Sequence, residues 1–293
     1  MVSGATAVPR FASEAERAGC GICGEAAWKG PALAGGRRLR LCPGCAQIWC
    51  RVDRQRANGG SLFSGFVNSG NCRFYNLIWA HEFKRFEAIL RQAPGARALD
   101  VGCGAGAFSR RLRGRWETYA TDLHKAAVDG GSLPEDHFHL GALASAPWPA
   151  DFFGAITFFD CLYYFEDPVA DLRKAWALLQ PGGVVLITVP SLPHWLARNA
   201  GPFGKALTGS WLGQFQDPKI ASVFSSRAMR RALGEAGFES IVARAGRGPV
   251  GGPLRRALSW FEFAAGYAVD KLTRGRWMAG PTAIYTARKK ASL

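Results

Sequence analysis

Two groups of residues have the types and spacing to do chemistry. The first is a cysteine quartet, Cys20-x2-Cys23 and Cys42-x2-Cys45, with 18 residues between the pairs. Two turns that each present two thiolates suit a tetrahedral thiophilic ion, Zn²⁺ above all, in a structural role. The residues between them are too few to build a core, so such a module depends on its metal to fold. Cys50, Cys72, Cys103 and Cys161 stand singly, and Cys50 is expected to be a small buried residue. The second group is the string Leu99-Asp100-Val101-Gly102-Cys103-Gly104-Ala105-Gly106. Its glycines allow a sharp strand-to-helix turn and close approach of a ligand to the main chain. Downstream, Asp122 closes a short apolar stretch, where a carboxylate can accept hydrogen bonds from ribose hydroxyls.

Taken alone, the glycine string leaves its ligand open. Gly102-x-Gly104-x-x-Ala107 also satisfies the dinucleotide fingerprint, which allows Ala at its last position. Asp100 and the additional Gly106 separate the two readings. A carboxylate at that point repels the pyrophosphate of a dinucleotide, whereas S-adenosylmethionine (SAM) has no phosphate and carries an ammonium that an acid can hold.

The elements that must position these residues follow from apolar periodicity. Met1–Gly19 reads as a flexible lead-in. Cys20–Val52 carries strand-like pieces at Arg37–Leu41 and Gln47–Cys50, and Asn58–Gly70 has the Gly, Ser and Asn content of a linker. Phe74–Arg91 repeats apolar residues at helical spacing and enters the main domain. Strands are expected at Ala98–Val101, Thr118–Thr121, His137–Leu140, Ala155–Phe159, Val184–Val189, Phe238–Arg244 and Thr282–Ala287. Ala155–Phe159 is taken as apolar throughout and therefore central. Helices are expected at Ala107–Arg113, at Asp167–Leu179 with an Asp-Pro start and a Pro181-Gly182-Gly183 stop, and at Ser225–Ala236. Such alternation implies a parallel sheet covered on both faces. An amphipathic segment, Leu254–Leu272, is inserted between the last two strands. The expected organisation is a lead-in over 1–19, a metal ribbon over 20–57, linker and entry helix over 58–95, and an α/β domain over 96–293.

With these motifs in order, the chain resembles the class I SAM-dependent methyltransferases (type 11/12-like). Leu99–Gly106 looks like their first motif, and Tyr119-Ala120-Thr121-Asp122-Leu123 like the second-strand motif with its ribose-binding acid. Asp151–Pro168 is similar to the fourth-strand segment, Leu179–Ile187 to the turn before the fifth strand, and Ser225–Phe238 to the late helix. The resemblance implies a Rossmann-like seven-stranded sheet that binds SAM through Asp100, Gly102, Cys103, Gly104, Gly106, Asp122, Leu123 and Phe159. In the third-strand loop the family's usual acid is absent, so backbone near Ala142 and Leu143 is expected to meet the adenine edge. The frequent Phe-Asp pair is here Phe153-Gly154, and the common His after the fourth strand corresponds to Tyr164. The candidates for acceptor chemistry are Asp160, Tyr163 and Tyr164 after the fourth strand and His194 after the fifth. His81 on the entry helix is expected to be structural. Asn199–Asp217 has the aromatic and glycine content of a lid.

A cysteine ribbon ahead of this fold resembles an arrangement in bacterial methyltransferases of sugar, polysaccharide and secondary-metabolite pathways, whose second half is similar to Arg40–Trp49. It also resembles a ribosomal RNA guanine methyltransferase family, but that metal site usually includes a His, and none lies near this quartet. The expected partner is thus a small-molecule acceptor. Thirty-seven basic residues against 22 acidic ones, a net charge of +15, keep nucleic acid as an alternative, and a binding-only subunit is another. Residues 254–276 bring a peripheral membrane surface into consideration. No secretory signal is evident near the N-terminus, which points to the cytoplasm.

Overall fold

A computed structural model describes residues 19–26, 32–33, 37–50, 82–129, 131, 133–193, 220–246, 253–274, 278 and 280–291. His81, His194 and the 199–217 stretch lie outside the described residues.

The quartet region contributes β1 (Ala32–Leu33), β2 (Arg37–Leu41) and β3 (Ile48–Cys50). Helix α1 covers 82–90, and β4 (Arg97–Val101) leads through the glycine loop into α2 (Ala107–Leu112). Then come β5 (Glu117–Asp122), the short α3 (Ala126–Asp129), β6 (Phe138–Leu140), β7 (Phe153–Phe159), α4 (Pro168–Leu178) and β8 (Leu179–Pro190). The described chain closes with β9 (Ser222–Val223), α5 (Ser226–Glu235), β10 (Glu239–Gly246), α6 (Pro253–Leu272) and β11 (Thr282–Arg288).

The main sheet has seven strands in the order β10-β11-β8-β7-β4-β5-β6. Strands β4 to β8 pair in parallel, and all of them but the edge strand β6 are largely buried. Expectation and structure part at β11, which runs antiparallel to both β8 and β10. Alternation of elements fixes how many strands there are but not the end at which a connection returns. Residues 247–281 return to the end where β10 stops, so the sheet is mixed.

Alternate residues of each strand feed opposite faces. Leu99, Ile156, Val185 and Tyr285 pack with α4 and α5, whereas Ala98, Ala155, Leu186 and Ile284 pack with α1 and α2. On the second face Phe83, Phe86, Phe108 and Phe159 form one aromatic cluster with ring centroids 5.1–6.1 Å apart. The Asp167 side chain caps α4 by accepting from the Ala170 amide at 3.0 Å, and Ser225 caps α5 through the Ala228 amide at 2.9 Å.

One further expectation is corrected, and one departure from the family pattern is explained. Leu179 belongs to β8 and not to the helix, because it pairs with Phe153; the Pro181–Gly183 turn then interrupts the register before Ala155 meets Val184. The glycine in Phe153-Gly154 has a steric cause: a Cβ there would fall 1.6 Å from the Pro94 carbonyl oxygen. The loop after α1 thus lies directly on the central strand, and a side chain at 154 would displace it.

Candidate functional site

The glycine loop stands at the carboxyl end of β4, the side on which open α/β sheets receive ligands. Gly102, Gly104 and Gly106 adopt φ of 67°, 56° and 72°, the left-handed region that glycine enters without Cβ strain. Gly102 is also packed tightly: a Cβ would lie 2.7 Å from Cys161 Cβ. The Cys161 thiol donates to the Val101 carbonyl at 3.0 Å and so cannot retreat. Gly104 is the opposite case, with open space where its Cβ would be.

Two carboxylates brace the loop and the strand that leads into it. Asp122, at the end of β5, accepts from the Gly104 amide at 2.8 Å and from the His124 amide at 2.9 Å, fixing the loop to the neighbouring strand. Asp100 is 1% exposed and accepts from Ser109 Oγ at 2.6 Å and Thr157 Oγ1 at 2.8 Å. Burial raises its pKa to about 6 against those hydrogen bonds. Burial and the nearby Asp100 charge also push the Cys103 thiol up. Leu123, next to Asp122, is 70% exposed. The loop after β6 is tied down by Thr121 Oγ1 donating to the Gly141 carbonyl at 2.7 Å. Within it the Ala142 carbonyl accepts from Ser145, and the Leu143 side chain is buried in the core. The Phe159 ring lies in the α1/α2 aromatic cluster, leaving its backbone at the strand end.

Next along the rim, Asp160 follows β7 with φ 51°. Its amide donates to Thr188 Oγ1 at 3.0 Å, and the same hydroxyl donates back to Asp160 Oδ1 at 3.0 Å. Burial raises this carboxyl to about 7. Tyr163 and Tyr164 occupy a short turn over Leu162–Tyr164 with ring centroids 4.5 Å apart; Tyr163 is buried and Tyr164 half-buried. The structure therefore brings Asp100, Asp122, the glycines, Asp160 and both tyrosines to one end of the sheet.

Ser109, Thr157, Thr188 and Cys161 were missed by sequence reasoning. Thr157 was the available signal: it interrupts the strand read as wholly apolar, and a polar side chain inside a buried strand needs a partner.

The cysteine quartet closes on itself. Sγ distances are 3.7 Å for Cys20–Cys45 and 3.3 Å for Cys23–Cys42, and all four sulfurs lie within 4.8 Å of one another. Four thiolates at ~2.3 Å from a tetrahedral zinc ion would stand roughly 3.8 Å apart, so the donor set fits. The two turns repeat one geometry. Gly24 N donates to Cys20 O and Ala46 N to Cys42 O, while Cys20 N donates to Glu25 O and Cys42 N to Gln47 O. Both turns end left-handed, at Gly24 and Ala46. The module is joined to the domain by β3, which pairs with β9, and by Ser225 Oγ, which donates to the Cys45 carbonyl at 2.7 Å. Ala221 then bridges it to the rim, its carbonyl accepting from Cys50 N and its amide donating to Tyr163 O.

Comparison with known proteins places this arrangement. The family model described as "Methyltransferase domain" matches residues 73–243. The ubiquinone/menaquinone biosynthesis C-methyltransferase of Vibrio campbellii is 30% identical over 124 residues, 38% of this chain and 48% of that protein. The ubiquinone biosynthesis O-methyltransferase of Xanthomonas campestris pv. campestris is 30% identical over 125 residues, 40% of this chain and 50% of that one. The chain spans about half the length of the curated relatives it matches. Among solved structures, a complex between the Haloferax volcanii Trm112 methyltransferase activator and a putative methyltransferase gives a TM-score of 0.53 at 16% identity, covering 79% of this chain and 97% of that one. The Haemonchus contortus phosphoethanolamine N-methyltransferase 2 gives 0.50 at 14% identity, covering 75% and 57%. These structural likenesses speak to the fold alone.

Proposed function

The chain belongs to the methyltransferase-domain family, and on that premise we propose that it transfers a methyl group from SAM to a small biosynthetic acceptor of the sugar, lipid or secondary-metabolite kind. One observation carries the reading: the glycine loop, with open space before Gly104 as the proposed ligand cradle, has two carboxylates beside it, Asp122 bonded to the Gly104 amide and Asp100 buried on the strand that leads into the loop. Negative charge at that loop favours the sulfonium and ammonium of SAM and disfavours a pyrophosphate.

In this reading Asp122 keeps its two backbone donors and offers its remaining lone pairs to the ribose hydroxyls. Leu123 covers the adenine, and backbone at Ala142 and Leu143 lines its edge. The backbone of Gly102, Cys103, Gly104 and Gly106 surrounds the methionine end, with Asp100 behind it. Phe159 serves through its place at the strand end. SAM supplies an activated methyl group, so the chain's main task is to hold donor and acceptor in line and dry. Asp160 is the proposed proton acceptor where the substrate must lose a proton, since a carboxyl near 7 is poised for that exchange at neutral pH. Tyr164 and His194 are the other candidates for acid–base chemistry at the acceptor. Cys20, Cys23, Cys42 and Cys45 would hold a structural Zn²⁺, which locks the ribbon without entering the reaction.

Calorimetric titration of SAM into zinc-replete protein tests this. Micromolar binding that is lost in Asp122→Ala supports it; absence of binding by the wild type overturns it. A nucleic-acid acceptor is the second reading, favoured by the +15 charge. RNA affinity that falls steeply with salt and competes with no small acceptor would select it.

A further inference from the structure

Helix α6 (Pro253–Leu272) lies beside the edge strand β10. One face turns inward: Gly266 and Asp270 are buried, and Phe263, Val269 and Thr273 are half-buried. The other face is apolar and open. Trp260 is 55% exposed, Phe261 74%, Tyr267 46% and Leu272 84%, and Ala264, Ala265 and Ala268 between them are exposed. Trp260, Ala264, Ala268 and Leu272 follow one another at four-residue steps, so they form a continuous stripe. Of the eight large apolar side chains exposed among the described residues, four stand on this helix, and Val242 on β10 adds a fifth beside it. Ring contacts from Trp260 to Phe263 at 6.1 Å and from Phe263 to Tyr267 at 6.0 Å hold the aromatic residues in order.

Charge identifies what covers this face. Residues 253–276 carry Arg255, Arg256, Lys271, Arg274 and Arg276 against Glu262 and Asp270, and Asp270 is turned into the protein. Lys271, Arg274 and, on β10, Arg244 are exposed. A second copy of a chain with net charge +15 is repelled by such a surface, whereas anionic lipid headgroups are drawn to it. A helix with an aromatic and leucine face and basic ends fits the interfacial plane of a bilayer. No described helix is long and apolar enough to cross a membrane. We propose that α6 is an interfacial anchor that lays Trp260, Phe261 and Leu272 into an anionic membrane surface.

The placement gives the contact a use. Gly246 at the end of β10 pairs with Thr282 at the start of β11, and Thr282 pairs with Pro190 at the carboxyl end of β8. Both ends of the insertion therefore spring from the sheet end that bears the glycine loop, so the anchor holds the candidate site at the bilayer surface.

The test is cosedimentation of the full, zinc-replete chain with extruded vesicles of 70:30 phosphatidylcholine and phosphatidylglycerol, and with vesicles of phosphatidylcholine alone. Binding to the mixed vesicles should fall by about tenfold or more in Trp260→Ser/Phe261→Ser. It should fall by about fivefold for each charge removed in Lys271→Gln and Arg274→Gln. An unchanged melting temperature shows that these exposed variants still fold. Three outcomes overturn the proposal: no binding to mixed vesicles, equal binding by the serine variant, or a dimer in solution that the serine variant abolishes while vesicles bind neither form. SAM titration on the same samples keeps this result separate from the fate of the cofactor assignment.

Discussion

Gly102 and Gly104 share a left-handed backbone but differ in what lies before them, which allows loop stability to be separated from ligand room. An alanine at either position pays about 1–2 kcal/mol for φ near 60°. At Gly102 the added methyl also meets Cys161 Cβ at 2.7 Å. Cys161 is buried and held to the Val101 carbonyl, so the neighbours must shift, at about 1–3 kcal/mol. Gly102→Ala should therefore destabilise by about 2–5 kcal/mol and Gly104→Ala by only about 1–2. Binding should rank the other way. The Gly104 methyl enters the open cradle, and a loss of about 1–3 kcal/mol there corresponds to SAM affinity weaker by about fivefold to 150-fold. Urea unfolding gives the first quantity and calorimetric titration of the folded variants the second. Adding Cys161→Gly to Gly102→Ala should show a coupling of about 1 kcal/mol or more. Wild-type SAM affinity in Gly104→Ala would refute the cradle as the ligand's place, and additive energies in the double variant would refute the Cys161 contact as the cause.

Other consequences can be checked directly. Elemental analysis should find one zinc per chain, and chelation or Cys45→Ser should lower Tm by roughly 5 °C or more, because β9 and the Ser225 cap lose their support. Asp100 and Asp160 have folded pKa values of about 6 and about 7, above the unfolded value of ~3.9. The fold therefore retains protons that the unfolded chain has lost, and the stability these groups give below about pH 4 is lost as pH rises through 6 to 7. Asp160→Asn, which tolerates the same left-handed backbone, should match wild-type Tm near pH 4 and exceed it at pH 8 in a thermal melt series. In the wild type, SAM affinity should rise between pH 5.5 and 8 as the carboxyls ionise, and the asparagine variant should show a flatter titration. Ser225→Ala removes both the α5 cap and the donor to the Cys45 carbonyl, so it should cost about 1–3 kcal/mol in urea unfolding. Asp167→Ala, which removes only an exposed cap, should cost nearer 1 kcal/mol.

The sequence alone determined what depends on short stretches of chain. Regular alternation of apolar runs specified most of the main-sheet strands, and Asp167-Pro168 and Ser225 marked helix starts because capping is satisfied within one turn. The glycine string specified a strand-to-helix loop because left-handed backbone is a property of single residues. The spacing of Cys20, Cys23, Cys42 and Cys45 specified a four-thiol set because each pair needs only one tight turn. What joins distant segments was decided by the tertiary structure. The antiparallel entry of β11 depends on where residues 247–281 return. The pairing of β3 with β9 makes the ribbon continuous with the domain through residues some 170 positions away, and no local pattern encodes that. Gly154 is demanded by the Pro94 carbonyl packed against it, a contact between the loop after α1 and β7 that no local pattern encodes. The partners of Asp100 and Asp160 arise from strands β7 and β8 and from α2, which become neighbours only when the sheet forms. Their raised pKa values follow from that burial, because the cost of a charge depends on everything packed around it and not on the residues beside it in sequence.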